Sequence, residues 1–176
     1  MKLIVGLGNP GKEYENTRHN TGWIMLGMVE KKLDLKNKIK FVYPDKFMNN
    51  SGKVVASFVK SKKDLKDIVV IYDDIDLPIG KMKISFNRSS GGHNGLGSII
   101  KALKSEEFVR IRIGTSPATP SGKIRKPKGE KDVLKFLLGE YKKSELETLK
   151  KLSKKVAEAL EIIFTEGKEK AMSLYN

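Results

Sequence analysis

A chain of 176 residues, 39% of them hydrophobic, is long enough to bury a sizeable core, and with 35 Lys and Arg against 21 acids it carries a net charge of +14. It has no cysteine, which excludes disulfides and thiolate chemistry, and only two histidines, too few to build a structural zinc site, so any metal would have to bind through carboxylates. No apolar run approaches the roughly 20 residues that span a bilayer, and the basic start MK leads into a short strand rather than a signal-peptide core, so the expectation is a soluble, cytoplasmic protein.

Residues 2–5 predict a first strand, and the GLGNPG behind it, residues 6–11, has the spacing G-x-G-x-x-G. That spacing marks a dinucleotide site only where the third glycine opens a helix, with a strand ending in an acid about 20 residues on. Here a polar stretch, KEYENTRHNTG, separates Gly11 from the helical pattern at 21–33, which disfavours a nicotinamide or flavin enzyme. Further strands are predicted at 39–43, 68–72, 82–86 and 109–113, with helices at 51–60 and 96–103 between them. Residues 115–129, TSPATPSGKIRKPKG, read as an exposed, mobile loop. A helix is predicted at 132–138 and a longer one at 144–166. Ser144 and Glu147 form a capping box for the latter, Leu146, Leu149, Leu152, Val156, Leu160 and Ile163 a buried stripe, and Gly167 a C-cap. The alternation predicts a single α/β domain over 1–176 with a central mixed, largely parallel twisted sheet flanked by helices.

The charge is uneven. From Glu140 onward eight lysines nearly balance seven acids, so about thirteen of the fourteen charges belong to residues 1–139. Arg110, Arg112, Lys123, Arg125, Lys126 and Lys128 follow one another without an acid between Phe108 and Gly129. Such a field favours a polyanionic partner, because each neutralised phosphate releases counterions. A lysine-rich surface serving solubility or heat tolerance is the alternative.

Four polar clusters border predicted strands: Asn9 to Asn20, FMNNSG at 47–52, YDDIDLPIG from Tyr72, and SSGGHNGLG at 89–97. In open α/β sheets ligands gather at the carboxyl ends of strands, which would bring these loops to one crevice. No G-x-S-x-G elbow appears. The plainest mechanism is an imidazole, His19, acting on water and steadied by Asp73 or Asp74, with Asn9, Asn49 and Asn94 offering neutral amide dipoles to a carbonyl or developing oxyanion. Bland roles compete. Asn49 and Asn50 suit the cap of the helix from Ser51, Asp73, Asp74 and Asp76 suit a turn before Pro78, and Gly91, Gly92 and Gly95 suit a tight turn or a phosphate cradle. DDID also permits a magnesium reading, without a second acidic cluster to support it.

Together, VGLGNPGKEYENTRHNTG, FMNNSG, YDDIDLPIG, SGGHNGLGSI and FVRIRIG, in that order, closely resemble the bacterial peptidyl-tRNA hydrolase family. The resemblance implies an α/β monomer, without metal or cofactor, that cleaves the ester between a peptide and the 3′ ribose of tRNA. It implies His19 as catalytic histidine and Asp73 as its carboxylate. Asn9, Tyr14, Met48, Asn49 and Asn94 then fall on the peptide and 3′-end site, with His93 and Gly92 in support and Arg112 gripping a tRNA phosphate. A non-catalytic RNA-binding relative is the alternative. The chain departs from the family in a short 33–47 segment, in Asn87 to Ser90 where glycines are usual, and in Ser85 where a second phosphate-binding base is expected, leaving Lys83 or Arg88 as substitutes.

Overall fold

The computed structural model describes residues 1–33 and 39–176. Among them, five strands form one sheet: β1 (Lys2–Gly6), β2 (Ile39–Val42), β3 (Ile68–Pro78), β4 (Met82–Phe86) and β5 (Val109–Ser116), in the order β2-β1-β3-β5-β4. All neighbours are parallel except β4 and β5. The helices are α1 (Thr21–Glu30), α2 (Ser51–Ala56), α3 (Asn94–Leu103), α4 (Glu130–Leu137), α5 (Lys143–Thr165) and α6 (Lys168–Tyr175). The predicted mixed, largely parallel α/β architecture is the one that forms.

Side-chain alternation along the strands divides the core into two layers. Ile4, Val69, Ile71, Ile111 and Ile113 pack with α1, α5 and α6, whereas Leu3, Val5, Ile68, Val70 and Tyr72 pack with α2 and α3. On α5, Leu149, Leu152, Val156, Leu160 and Ile163 are buried as predicted, each contributing roughly 1.5–3 kcal/mol of apolar transfer, while Leu146 is only half-buried. Two glycines set how closely the layers approach. A Cβ on Gly22 would lie 2.3 Å from the Leu7 nitrogen and 2.4 Å from the Ile71 carbonyl oxygen, so the start of α1 is pressed against the ends of β1 and β3. A Cβ on Gly52 would lie 2.0 Å from the Ser98 carbonyl oxygen, which seals α2 to α3.

The structure departs from expectation at several boundaries. Strand β3 continues past Tyr72 to Pro78, paired to β5 as far as Asp74 and shifted in register before Pro78; Asp73 is a strand residue and no turn former, while Asp74 accepts the Asp76 N–H at 2.8 Å where the register shifts. Strand β5 likewise runs to Ser116, which removes two residues from the predicted 115–129 loop; Ala118 bridges to Ile124 within it. Helix α2 stops at Ala56. Helix α5 begins one residue early, because Glu145 accepts the Lys142 N–H at 2.7 Å and makes Lys142 the cap, a role predicted for Ser144. Gly167, with φ of 101°, closes α5 by donating to the Ile162 carbonyl at 3.0 Å, then opens α6, which was not predicted. The side chain of Asn176 exchanges two hydrogen bonds with the backbone of Ile84, satisfying part of the free edge of β4. At the other edge β2 is present, and residues 34–38 of the short 33–47 segment lie outside the described residues. No described helix is long and apolar enough to cross a membrane.

Candidate active site

The third glycine of GLGNPG, Gly11, leads into a short 3-10 turn, Lys12–Tyr14, and α1 starts only at Thr21. The third glycine therefore does not open a helix, and the arrangement that a dinucleotide site requires is not formed by this loop. A second 3-10 turn, Arg18–Asn20, sits directly before α1 and presents His19, 7% exposed, to the carboxyl end of β3.

The alternation that splits the core also chooses between the two aspartates. Asp73 follows Val69 and Ile71 in facing the α1 layer, where His19 Nδ1 lies 2.9 Å from its Oδ2; Asp74 faces the other way and accepts Arg112 Nε at 2.6 Å. Because Asp73 sits at the tip of the sheet, the α3 layer reaches it too: His93 Nε2 lies 2.9 Å from Oδ1. His93 is the N-cap of α3, its Nδ1 accepting the Leu96 N–H at 3.2 Å. That bond assigns the His93 proton to Nε2 and makes the ring a donor to Asp73. His19 Nδ1 donates to the other oxygen, which leaves the Nε2 lone pair of His19 for chemistry. Burial opposes charging of His19, but the Asp73 charge and hydrogen bond outweigh it and raise its pKa above the usual 6.5. Burial alone would raise the pKa of Asp73, yet the two imidazoles hold it well below the carboxylate range. Tyr72 packs edge-on against His93 at 5.0 Å and is itself pushed up to about 12 by burial. The donor atoms of His19, Asp73 and His93 lie within 4.8 Å of one another. A metal would need a lone pair on His93, but Nδ1 accepts the Leu96 N–H and Nε2 carries the proton donated to Asp73, so these residues fit a hydrogen-bonded network better than a metal site.

Three loops are bolted to this centre. The Asn20 side chain accepts the Asn9 N–H at 2.8 Å and donates to its carbonyl at 3.0 Å, while Asn9 Oδ1 accepts the Met48 N–H at 2.8 Å. With its oxygen engaged, Asn9 offers its NH2 group as a donor. Met48 is buried, and a Cβ on Gly95 would meet its sulfur at 2.4 Å, which brings the FMN loop against the start of α3. Tyr14 stacks edge-on with Phe47, 6.4 Å between centroids. Asn49 and Asn94 are exposed at this rim, Asn49 accepting from Asn50 Nδ2 at 3.3 Å. Asn50 caps α2 without a side-chain hydrogen bond. Gly91 and Gly92 hold φ of 58° and 84°, the backbone of a tight turn.

Beside Asp73 and His93 opens a cavity of about 730 Å³. Its walls include Arg88, Arg110, Arg112 and Lys126, the acids Asp74, Asp76 and Glu106, Gly92, and Val133 and Leu137 of α4. Of the two substitutes for the missing base, Arg88 lines this cavity; Lys83 stands opposite Arg112 in register but is not part of the wall. Arg110, fully buried, was not singled out from the sequence. It donates to the carbonyls of Ser89 and Glu106 at 3.3 and 3.2 Å, lies 4.7 Å above the Phe108 ring, and leaves its Nε unpaired, as does the Oγ of Ser85. Arginines two apart in FVRIRIG, on one face of a strand, were the available signal.

The peptidyl-tRNA hydrolase family model matches residues 3–176. The chain is 41% identical over 194 aligned residues to the peptidyl-tRNA hydrolase of Thermoanaerobacter sp. (strain X514), covering all of both, and 41% identical over 189 residues to that of Thermotoga maritima, covering 99% of this chain and 96% of the other. Its fold is similar to the crystal structure of peptidyl-tRNA hydrolase from Acinetobacter baumannii, with a TM-score of 0.82 at 27% identity, over 100% of this chain and 94% of that one. A histidine–aspartate pair within five motifs in order, on a matching fold and matched over nearly its whole length, places this chain in the peptidyl-tRNA hydrolase family.

Proposed function

We propose that the chain hydrolyses the ester joining a peptide to the 3′ ribose of tRNA, with His19 as general base on water. The observation that carries this is the 2.9 Å bond between His19 Nδ1 and the buried Asp73 carboxylate. It fixes the tautomer in which Nε2 takes a proton from water as the oxygen attacks the acyl carbon, and it stabilises the imidazolium so formed. The Asn9 NH2 group faces the developing oxyanion without adding charge, and Met48, Asn49, Asn94 and Tyr14 line the approach of the peptide and terminal adenosine. When the acyl–oxygen bond breaks, Nε2 returns its proton to the ribose 3′ oxygen. His93 keeps Asp73 oriented. Arg112 and Arg88 attract backbone phosphates, with Lys83 in a lesser role.

The chain is further proposed to act as a cytoplasmic monomer; sedimentation equilibrium tests the stoichiometry. The reaction is tested by release of an N-blocked amino acid from tRNA, comparing the native chain with His19→Ala at matched tRNA occupancy. Cleavage by the native chain alone supports the reading. Equal cleavage by both removes His19 from the mechanism, and binding without cleavage by either makes the chain an RNA-binding relative.

A further inference from the structure

Helix α4 is an unusual wall. None of its residues is buried, Leu134 is 53% exposed, yet Val133 and Leu137 face the cavity. A side chain from the turn before α1 reaches it. The Arg18 guanidinium lies 4.6 Å from the Phe136 ring of α4 and 5.4 Å from the Tyr141 ring, and its Nη2 reaches Glu145 Oε2 in the first turn of α5 at 3.4 Å. The backbone reinforces the junction: Arg18 N–H donates to the Gly139 carbonyl and Tyr141 N–H to the Asn16 carbonyl, at 3.0 and 2.9 Å, while the Tyr141 hydroxyl meets Thr21 Oγ1 at 2.7 Å. A Cβ on Gly139 would lie 2.9 Å from Arg18 Nη1, so the segment after α4 is shaped around this side chain.

His19, next in the chain, does not depend on that clamp. Its turn is held independently by Asp73 and by the pairing of Asn20 with Asn9. The two sides of Arg18 thus separate: loss of the guanidinium removes the ring and Glu145 contacts, leaves the backbone bonds of the junction, and does not touch the water-activating pair.

We propose that Arg18 is a positioning residue that anchors α4 as the apolar wall of the cavity, and so sets affinity for the tRNA end rather than the rate of ester cleavage. This rests on the hydrolase reading for its substrate. Lysine can make a cation–π contact but lacks the planar guanidinium that meets two rings and Glu145 at once, so Arg18→Lys should restore only part of the function.

The test compares Arg18→Met, Arg18→Lys and Phe136→Ala with the native chain, on N-blocked aminoacyl-tRNA and on an N-blocked aminoacyl-adenosine ester, with amide hydrogen exchange of α4 as the structural readout. The expected result for Arg18→Met and Phe136→Ala is a KM about tenfold higher for the tRNA substrate, kcat within about twofold on both substrates, and faster exchange in α4, with Arg18→Lys intermediate. Should Arg18→Met fail to fold, Phe136→Ala carries the same test from outside the His19 turn. Unchanged exchange in α4, or a fall in kcat on both substrates with KM unmoved, overturns the proposal. If the native chain cleaves neither substrate the hydrolase reading fails, and the exchange measurement still decides whether Arg18 anchors α4.

Discussion

Asp73 and Asp74 are neighbours on one strand, yet they organise two regions built on opposite principles. Around Asp73 the network is internally bonded: each carboxylate oxygen takes one imidazole donor, the second nitrogen of His93 takes a helix amide, and Asn20 pairs with the backbone of Asn9, leaving His19 Nε2 and the Asn9 NH2 group for substrate. Around Asp74 three arginines line an open cavity, and Arg110 Nε and Ser85 Oγ have no partner among the described residues. A closed network holds a geometry before substrate arrives, as proton transfer demands. An open cavity in which Arg88, Arg110, Arg112 and Lys126 are matched by Asp73, Asp74, Asp76 and Glu106, with one buried guanidinium nitrogen unpaired, leaves a donor to be completed by a ligand.

If that division is right, substitutions in the first region should depress kcat on every substrate, and those in the second should act on tRNA affinity alone. The largest effect is expected from His19→Ala, a loss in kcat of about 10²–10⁴-fold on both tRNA and minimal ester substrates, read in single-turnover assays. Asp73→Asn should cost on the order of 10²-fold, toward the lower end of that range. It should also move the pH profile. The base must be unprotonated and its pKa is raised, so native kcat/KM should climb with pH through an inflection above 6.5. Removing the carboxylate leaves burial, which lowers the pKa, as the dominant influence, and the inflection should fall.

In the second region, Arg112→Ala should weaken tRNA binding by roughly tenfold and reduce the slope of log affinity against log salt by about one, with minimal-ester cleavage little changed. Equal losses on both substrates would put Arg112 in the chemistry and erase the division. The smallest effect should separate the two substitutes for the missing base. Arg88→Ala should lower tRNA affinity a few-fold and Lys83→Ala hardly at all, since only Arg88 lines the cavity. The reverse order would relocate the phosphate contact to the β4 edge.

The two regions also differ in how far they could be read from the sequence. His19, Asn9, Asn20 and His93 stand in short contiguous motifs behind strands, so their convergence follows from the parallel sheet. The residues by themselves leave Asp73 and Asp74 open and the family resemblance points to Asp73; strand alternation along β3, which continues to Pro78, turns Asp73 toward α1. The second region is assembled from residues far apart in the chain. Arg18, Phe136, Tyr141 and Glu145 share no motif, and their junction depends on where a loop returns. Burial of Arg110 likewise depends on carbonyls of Ser89 and Glu106 that no pattern advertises. Helix α6 was missed because Gly167 signals the end of one helix and not the start of the next.

The account is tested most directly by a 15N NMR titration of the His19 ring in the native chain and in Asp73→Asn. It predicts a neutral ring protonated at Nδ1, with a pKa above 6.5 in the native chain and a lower one in the variant. A ring protonated at Nε2, or a pKa indifferent to the loss of the carboxylate, would contradict it.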